Sequence, residues 1–116
     1  NHQVGVLFRF DGTDGYCIRY KDASNIELGT YNTSTGFTQI TEDACAVPVG
    51  VWRSWRVLAK DSQIVVMVGN TKKETEVVLN TTDLTYTTGQ VGLITFSTAA
   101  SFKDFEIGTV VNMEVN

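Results

Sequence analysis

Residues 88–96, TGQVGLITF, and residues 101–107, SFKDFEI, decide the fold class of this chain. A turn glycine precedes the first apolar segment, a loop of small residues follows it, and the second segment alternates apolar and polar side chains. Such alternation places successive side chains on opposite faces of a β-strand. The two segments therefore predict a pair of closing strands whose apolar side chains lie mostly in the core.

Period-two alternation continues toward the N-terminus. In the first predicted strand, one face carries the larger apolar side chains Val4, Val6, Phe8 and Phe10. The opposite face carries Gly5, Leu7 and Arg9. Further strands are predicted at residues 16–20, 26–31, 37–41, 52–60, 64–68, 74–79 and 110–115. Asp61 and Ser62 predict a hairpin loop. Because no segment has helical periodicity, residues 1–116 are predicted to form one all-β domain, an antiparallel β-sandwich.

Composition and charge exclude several classes of function. The 116 residues include 42% hydrophobic residues, which is enough for a core, and only 19% charged residues, with a net charge of −4. No basic stripe is present to neutralise phosphates, so nucleic-acid binding is not expected. No apolar run has the length of a membrane span, so membrane insertion is not expected either.

The cysteines and two glycosylation triplets bear on the compartment. Cys17 and Cys45 are predicted to form one disulfide, and the alternative is that both are buried thiols. Together with His2, the only histidine, they are too few for a zinc site. Asn32-Thr33-Ser34 and Asn80-Thr81-Thr82 match the N-glycosylation triplet, which is compatible with a secretory route.

The order of these elements is similar to that in concanavalin A-like lectin and glucanase sandwiches, which include laminin G-like domains. Residues 5–10, GVLFRF, resemble an early strand of those domains, and residues 16–20, YCIRY, resemble its neighbour. Residues 50–57, GVWRSWRV, look like the family's entry into a long core strand. The resemblance covers about residues 4–107 and implies a jelly roll. It also implies that strands which usually precede residue 4 in such domains are missing.

The resemblance implies a secreted or cell-surface protein. The leading hypothesis is a non-catalytic, lectin-like domain that binds a polysaccharide or glycan. A laminin G-like adhesion module that binds a protein is the second hypothesis. An accessory or structural domain within a larger glycoside-processing chain is the third.

Candidate sugar-binding residues follow from the chemistry of sugars, which pack their C–H faces on aromatic rings and hydrogen-bond to planar polar groups. The predicted alternation places Arg9 and Arg19 side by side on one sheet face. Their alternative role is a cross-strand ion pair with a carboxylate. The full set of candidate ligand-binding residues is Arg9, Arg19, Tyr20, Tyr31, Asp22 and Asn25.

Acidic residues bear on two other kinds of chemistry, glycoside hydrolysis and calcium binding. Glu74-Thr75-Glu76 is the only Glu-x-Glu pair on a predicted strand, and it is interpreted as a solvated strand face rather than a catalytic pair. Asp11 and Asp14 form an oxygen-rich turn that suits calcium or serves simply as a turn. The resemblance implies that Asp104 lies where related sandwiches hold a structural calcium.

Overall fold

The computed structural model describes residues 4–46, 50–71, 73–96 and 100–108, which form two antiparallel β-sheets. The strands of the described residues are β1 (Val4–Phe10), β2 (Asp14–Tyr20), β3 (Asn25–Asn32), β4 (Gly36–Ala44), β5 (Ser54–Lys60), β6 (Gln63–Gly69), β7 (Thr75–Thr82) and β8 (Gln90–Thr95). Sheet A has the order β4-β3-β2-β1-β8, and sheet B has the order β5-β6-β7. No described segment is a helix long and apolar enough to cross a bilayer. The predicted all-β sandwich is confirmed.

The core lies between the two sheets, where alternate side chains of the facing strands meet. Tyr16 and Ile18 of β2 pack with Ile64 and Val66 of β6, and all four are fully buried. Cys17 lies between Tyr16 and Ile18 in sequence, so its side chain points to the opposite side of sheet A. We call this side, which faces away from sheet B, the outer face.

A bulge in β1 changes the face on which its last residue lies. The register of β1 with β8 shifts between Leu7 and Phe10, and Arg9 adopts a positive φ of 48°. An extra residue in one strand reverses the alternation beyond it. Phe10 consequently packs against Gly15 on the outer face. The predictions that Phe10 shares a face with Phe8 and that Arg9 shares a face with Arg19 are therefore wrong.

The hairpin loop at Asp61-Ser62 is confirmed, because Lys60 pairs with Gln63 across it. Two strands, β4 and β7, continue well past the ends at residues 41 and 79 that the sequence predicted. β4 continues to Ala44, which pairs with Asn25, and β7 continues to Thr82, which pairs with Gln63. Pairing with a neighbouring strand extends both strands into polar segments, which lie beyond the predicted ranges 37–41 and 74–79.

The predicted closing strand at residues 101–107 is wrong. Residues 100–108 are not in a strand, and Phe102, Phe105 and Ile107 are exposed rather than in the core. Within the described residues, β8 pairs only with β1, so it forms an edge of sheet A. Its Val91 and Leu93 are each 38% exposed. The strand predicted at 110–115 lies outside the described residues.

Candidate functional site

Glycines allow aromatic rings to lie close to the outer face of sheet A. A Cβ atom on Gly29 would meet the Phe37 ring at 2.5 Å, and one on Gly15 would meet the Phe10 ring at 2.9 Å. Glycine within a strand commonly marks such a close approach. The rings of Phe37 and Phe10 therefore occupy the space that side chains of β3 and β2 would otherwise fill.

Arg19 and Glu27 form an ion pair on this face. The two residues are opposite each other in the β2–β3 register. The Arg19 Nε–H donates to Glu27 Oε2 at 2.9 Å, and the side chains are only 15% and 4% exposed. This is the cross-strand pairing that the sequence offered as the alternative role of Arg19. It fixes the orientation of the guanidinium plane.

The same guanidinium lies between two aromatic rings. Arg19 Cζ is 3.9 Å from the centroid of the Phe37 ring and 4.6 Å from that of Phe96. Both distances are within the range of a cation–π contact. Phe96 also contacts Tyr31 edge to face, with 5.7 Å between the ring centroids. The centroids of the Tyr31 and Phe10 rings are 6.4 Å apart. We call Arg19, Phe10, Tyr31, Phe37 and Phe96 the Arg19 cluster.

The Arg19 cluster combines apolar rings with hydrogen-bond donors. Among the described residues, Arg19 forms hydrogen bonds only through Nε. Its two terminal nitrogens are thus left as donors in a fixed plane. All five members of the cluster are partly exposed. The cluster can therefore contact a molecule that presents both apolar C–H groups and oxygen acceptors.

Arg9 does not belong to this site, which corrects the prediction that it binds ligand beside Arg19. Its Nη1 donates to the backbone oxygen of Asp61 at 2.8 Å and to that of Tyr86 at 3.2 Å. The bulge in β1 points the Arg9 side chain at these loops. The residue links β1 to the β5–β6 turn and to the segment after β7.

Tyr20 is also misplaced by the sequence prediction, because it lies in the core and is only 6% exposed. Its hydroxyl accepts a hydrogen bond from Trp55 Nε1 at 2.8 Å, and the two rings meet edge to face. Burial raises the pKa of Tyr20. A buried ring that already has a polar partner is not presented for stacking on a ligand, so the structure does not place Tyr20 beside Arg19 on the outer face.

Asp22 lies in the turn between β2 and β3, and Asn25 is the first residue of β3. Asn25 Nδ2 donates to Asp22 Oδ1 at 3.1 Å, and the Ser24 amide donates to the same oxygen at 2.8 Å. The Ser24 amide is the main reason that the pKa of Asp22 is lowered. These bonds shape the turn, and a contact of either residue with a ligand stays a prediction.

The predicted disulfide is absent, since Cys17 and Cys45 are both free buried thiols. Cys45 packs in the core between the sheets, whereas Cys17 points to the outer face of sheet A. The sheet itself separates them, so the two sulfur atoms cannot bond without a change of fold.

Of the three predicted calcium ligands, Asp11 and Asp14 accept hydrogen bonds near the turn between β1 and β2, and Asp104 lies in a different segment. Asp11 Oδ1 accepts the amides of Thr13 and Asp14, each at 2.8 Å, and these bonds lower the pKa of Asp11. Asp14 Oδ1 accepts a bond from Asn32 Nδ2 at 2.6 Å. Asp104 lies in the segment 100–108 with a φ of 53°. The described part of the chain contains no group of three His, Cys, Asp or Glu side chains that could hold a metal, and calcium stays an untested prediction.

The sequence did not indicate Phe10, Glu27, Phe37 or Phe96 as site residues. Strict alternation assigned Phe10 to the core, and Phe96 follows the end of β8. One signal was available, because Gly15 and Gly29 interrupt strands that are otherwise built from larger residues. Two strand glycines on neighbouring strands indicate that bulky groups from elsewhere pack there.

Comparison with known proteins adds no further constraint on this site. No protein-family model, no curated protein and no solved structure matches the chain.

Proposed function

We propose that the protein is a non-catalytic carbohydrate-binding domain that holds a polysaccharide or glycan at the Arg19 cluster. One observation carries the proposal: a planar guanidinium lies between the Phe37 and Phe96 rings on a sheet face that the other sheet does not cover. Rings that pack on C–H faces, beside planar hydrogen-bond donors, are the groups that bind sugars.

The site is arranged before a ligand arrives. Glu27 holds Arg19 through Nε, and Phe37 rests on Gly29. Ordering a long side chain on binding costs about 0.5–1.5 kcal/mol, and this cost is reduced when the side chain is already held. In this proposal Arg19 donates to sugar oxygens, Tyr31 and Phe96 supply ring surface, and Glu27 is a positioning residue.

The proposal is tested by binding to immobilised glycans, with and without calcium, using wild type and the variant Arg19→Lys. Lysine keeps a cation beside the buried Glu27 but lacks the planar fork, so we expect binding to weaken at least about tenfold. Arg56→Lys is the matched control, because Arg56 is exposed on β5 of sheet B, and it should bind as wild type does.

A second variant guards against an effect of Arg19→Lys on folding. Phe96→Ala leaves the ion pair intact and removes a ring from the cluster, so it should also weaken binding. Far-UV circular dichroism establishes that each variant is folded. If no glycan binds the wild type, or if neither variant affects binding, the proposal is wrong.

The resemblance to concanavalin A-like sandwiches supports the same proposal. The resemblance also extends the proposal: the domain would be secreted or on the cell surface, and it would be part of a larger chain. No catalytic step is proposed, because Glu74 and Glu76 are both exposed, as expected of a solvated strand face. Calcium dependence of binding would favour a role for Asp11, Asp14 or Asp104.

One observation favours the alternative of a laminin G-like module that binds a protein. Val51 and Trp52 are more than half exposed, and Lys103 Nζ lies 4.4 Å from the centroid of the Trp52 ring. This contact brings the segment of Phe102 and Phe105, which is also exposed, beside the entry to β5. Exposed apolar groups of this kind mark protein-binding sites. A partner whose binding is lost in Trp52→Ala and kept in Arg19→Lys would identify this function.

A further inference from the structure

We infer that the glycan bound at the Arg19 cluster is electrically neutral. The inference rests on the proposed function and adds the class of ligand. It follows from the charges on the outer face of sheet A, which the register of β2, β3 and β4 brings together.

Both basic side chains that β2 and its following turn present at this face are already paired. Arg19 binds Glu27, and Lys21 Nζ lies 2.8 Å from Glu42 Oε1. Glu27 and Glu42 are themselves opposite each other in the β3–β4 register. Two cations are thus matched by two carboxylates, and this group carries no net charge.

The carboxylate of Glu27 is held in position beside the place where the ligand would bind. Its side chain is 4% exposed, so its carboxylate reaches Arg19 but not a ligand. A sugar carboxylate that approached Arg19 would gain its attraction and would also meet the repulsion of Glu27, which is held against the same guanidinium. The chain as a whole has a net charge of −4, which further disfavours anionic polysaccharides.

A cationic sugar has no better site here. The carboxylate of Glu27 is covered by Arg19, and the exposed edge of the guanidinium carries only donors. An ammonium group would meet Arg19 first and be repelled. The groups that fit this edge are uncharged acceptors, namely hydroxyl, ring and glycosidic oxygens.

The test measures affinity by calorimetry for three series of oligosaccharides: neutral hexosides and pentosides, oligouronates, and glucosamine oligomers. Each series is titrated at about 50 mM and about 500 mM NaCl, since the higher concentration screens exposed charges. We expect neutral oligosaccharides to bind with less than about a twofold change between the two salt concentrations. Oligouronates and glucosamine oligomers should bind at least about tenfold more weakly, a difference of about 1.4 kcal/mol.

A substitution that unbalances the charges sharpens the test. Glu27→Gln keeps an oxygen that can accept from Arg19 Nε but removes the negative charge. Affinity for oligouronates should rise about tenfold, and this gain should disappear at high salt. Glu42→Gln is the matched control: because Glu42 pairs with Lys21 and is more exposed, the gain should be smaller.

The outcomes separate this inference from the proposed function. Tight, salt-sensitive binding of oligouronates or glucosamine oligomers that is lost in Arg19→Lys would overturn neutrality and leave carbohydrate binding in place. An absence of change in Glu27→Gln would also overturn neutrality. A failure of all three series to bind would overturn both statements.

Discussion

Cys17 shows how strongly a single side chain is affected by its position in this sandwich. It is fully buried, and burial raises the pKa of its thiol to about 12, opposed by Arg19 and reinforced by Glu27. Because the thiolate is the nucleophile, such a thiol is unreactive in the folded protein. The residue therefore acts as a small apolar side chain beneath the Arg19 cluster.

The shifted pKa of Cys17 predicts a loss of stability in alkaline solution. The unfolded thiol ionises near pH 9.0 and the folded one near 12, so between these values the folded state binds more protons. The free energy of unfolding therefore falls as pH rises from about 9 toward 12. Urea unfolding at a series of pH values measures this slope.

Cys17→Ala is the comparison for that slope. The variant has no thiol to ionise at this position, so its stability should fall less steeply with pH. Cys45 and the buried tyrosines, whose pKa values are also raised, contribute the remaining slope. Equal slopes in wild type and Cys17→Ala would contradict the assignment.

Among the strands, β3 depends on Gly29 for the packing of the outer face. A Cβ atom there would lie 2.3 Å from the Thr38 backbone oxygen and 2.5 Å from Phe37. Gly29→Ala should therefore lower the free energy of unfolding by about 1–3 kcal/mol, the usual cost of overpacking. It should also weaken glycan binding, because Phe37 must move away from Arg19. Chemical denaturation and glycan titration measure the two effects.

Gly92→Ala is the matched control on the same sheet. The nearest atoms to an added Cβ at Gly92 belong to the Leu7 side chain at 4.0 Å, which is ordinary contact. Stability should change by no more than about 0.5 kcal/mol. An equal loss in both variants would show that glycine is needed for a general reason rather than for the Phe37 contact.

The segment after β8 gives a second prediction at the level of elements. Phe105 is 49% exposed, so Phe105→Ser should change the free energy of unfolding by about 0.5 kcal/mol or less. Phe8 is 5% exposed in the core, and Phe8→Ala should cost about 3–5 kcal/mol. A large loss in Phe105→Ser would indicate that residues 101–107 form the buried strand that their alternation predicts.

The contrast between β2 and β1 shows what the sequence can and cannot predict. The alternation in β2 correctly divides core from outer face, because the strand is regular and flanked on both sides. In β1 the same alternation fails beyond Phe8, because a bulge depends on backbone pairing rather than on side-chain hydropathy. For the candidate site, the sequence predicted Arg19 and Tyr31, but not the rings that only the fold brings beside them.

At the scale of the whole molecule, the two sheets share one core and should unfold together. Ile18 and Leu28 of sheet A pack in one cluster with Ile64 and Leu79 of sheet B, so neither sheet keeps its core alone. Far-UV circular dichroism and tryptophan fluorescence, which reports on Trp55 packed against this core as well as on the exposed Trp52, should give the same unfolding midpoint.

Protein concentration provides the control for that experiment. If the described strands are sufficient for folding, the midpoint should not depend on concentration. A midpoint that rises with concentration would show that association stabilises the fold, with the exposed Val91 and Leu93 of β8 as the first surface to examine.

The bulge at Arg9 amounts to a one-residue insertion. Without Arg9, Phe8 and Phe10 would follow each other in regular alternation and keep their present faces. The inserted residue leaves both flanks of the strand in place and adds a long side chain that reaches backbone positions 52 and 77 residues further along the chain. One extra residue in the strand is thus enough to tether β1 to two distant loops.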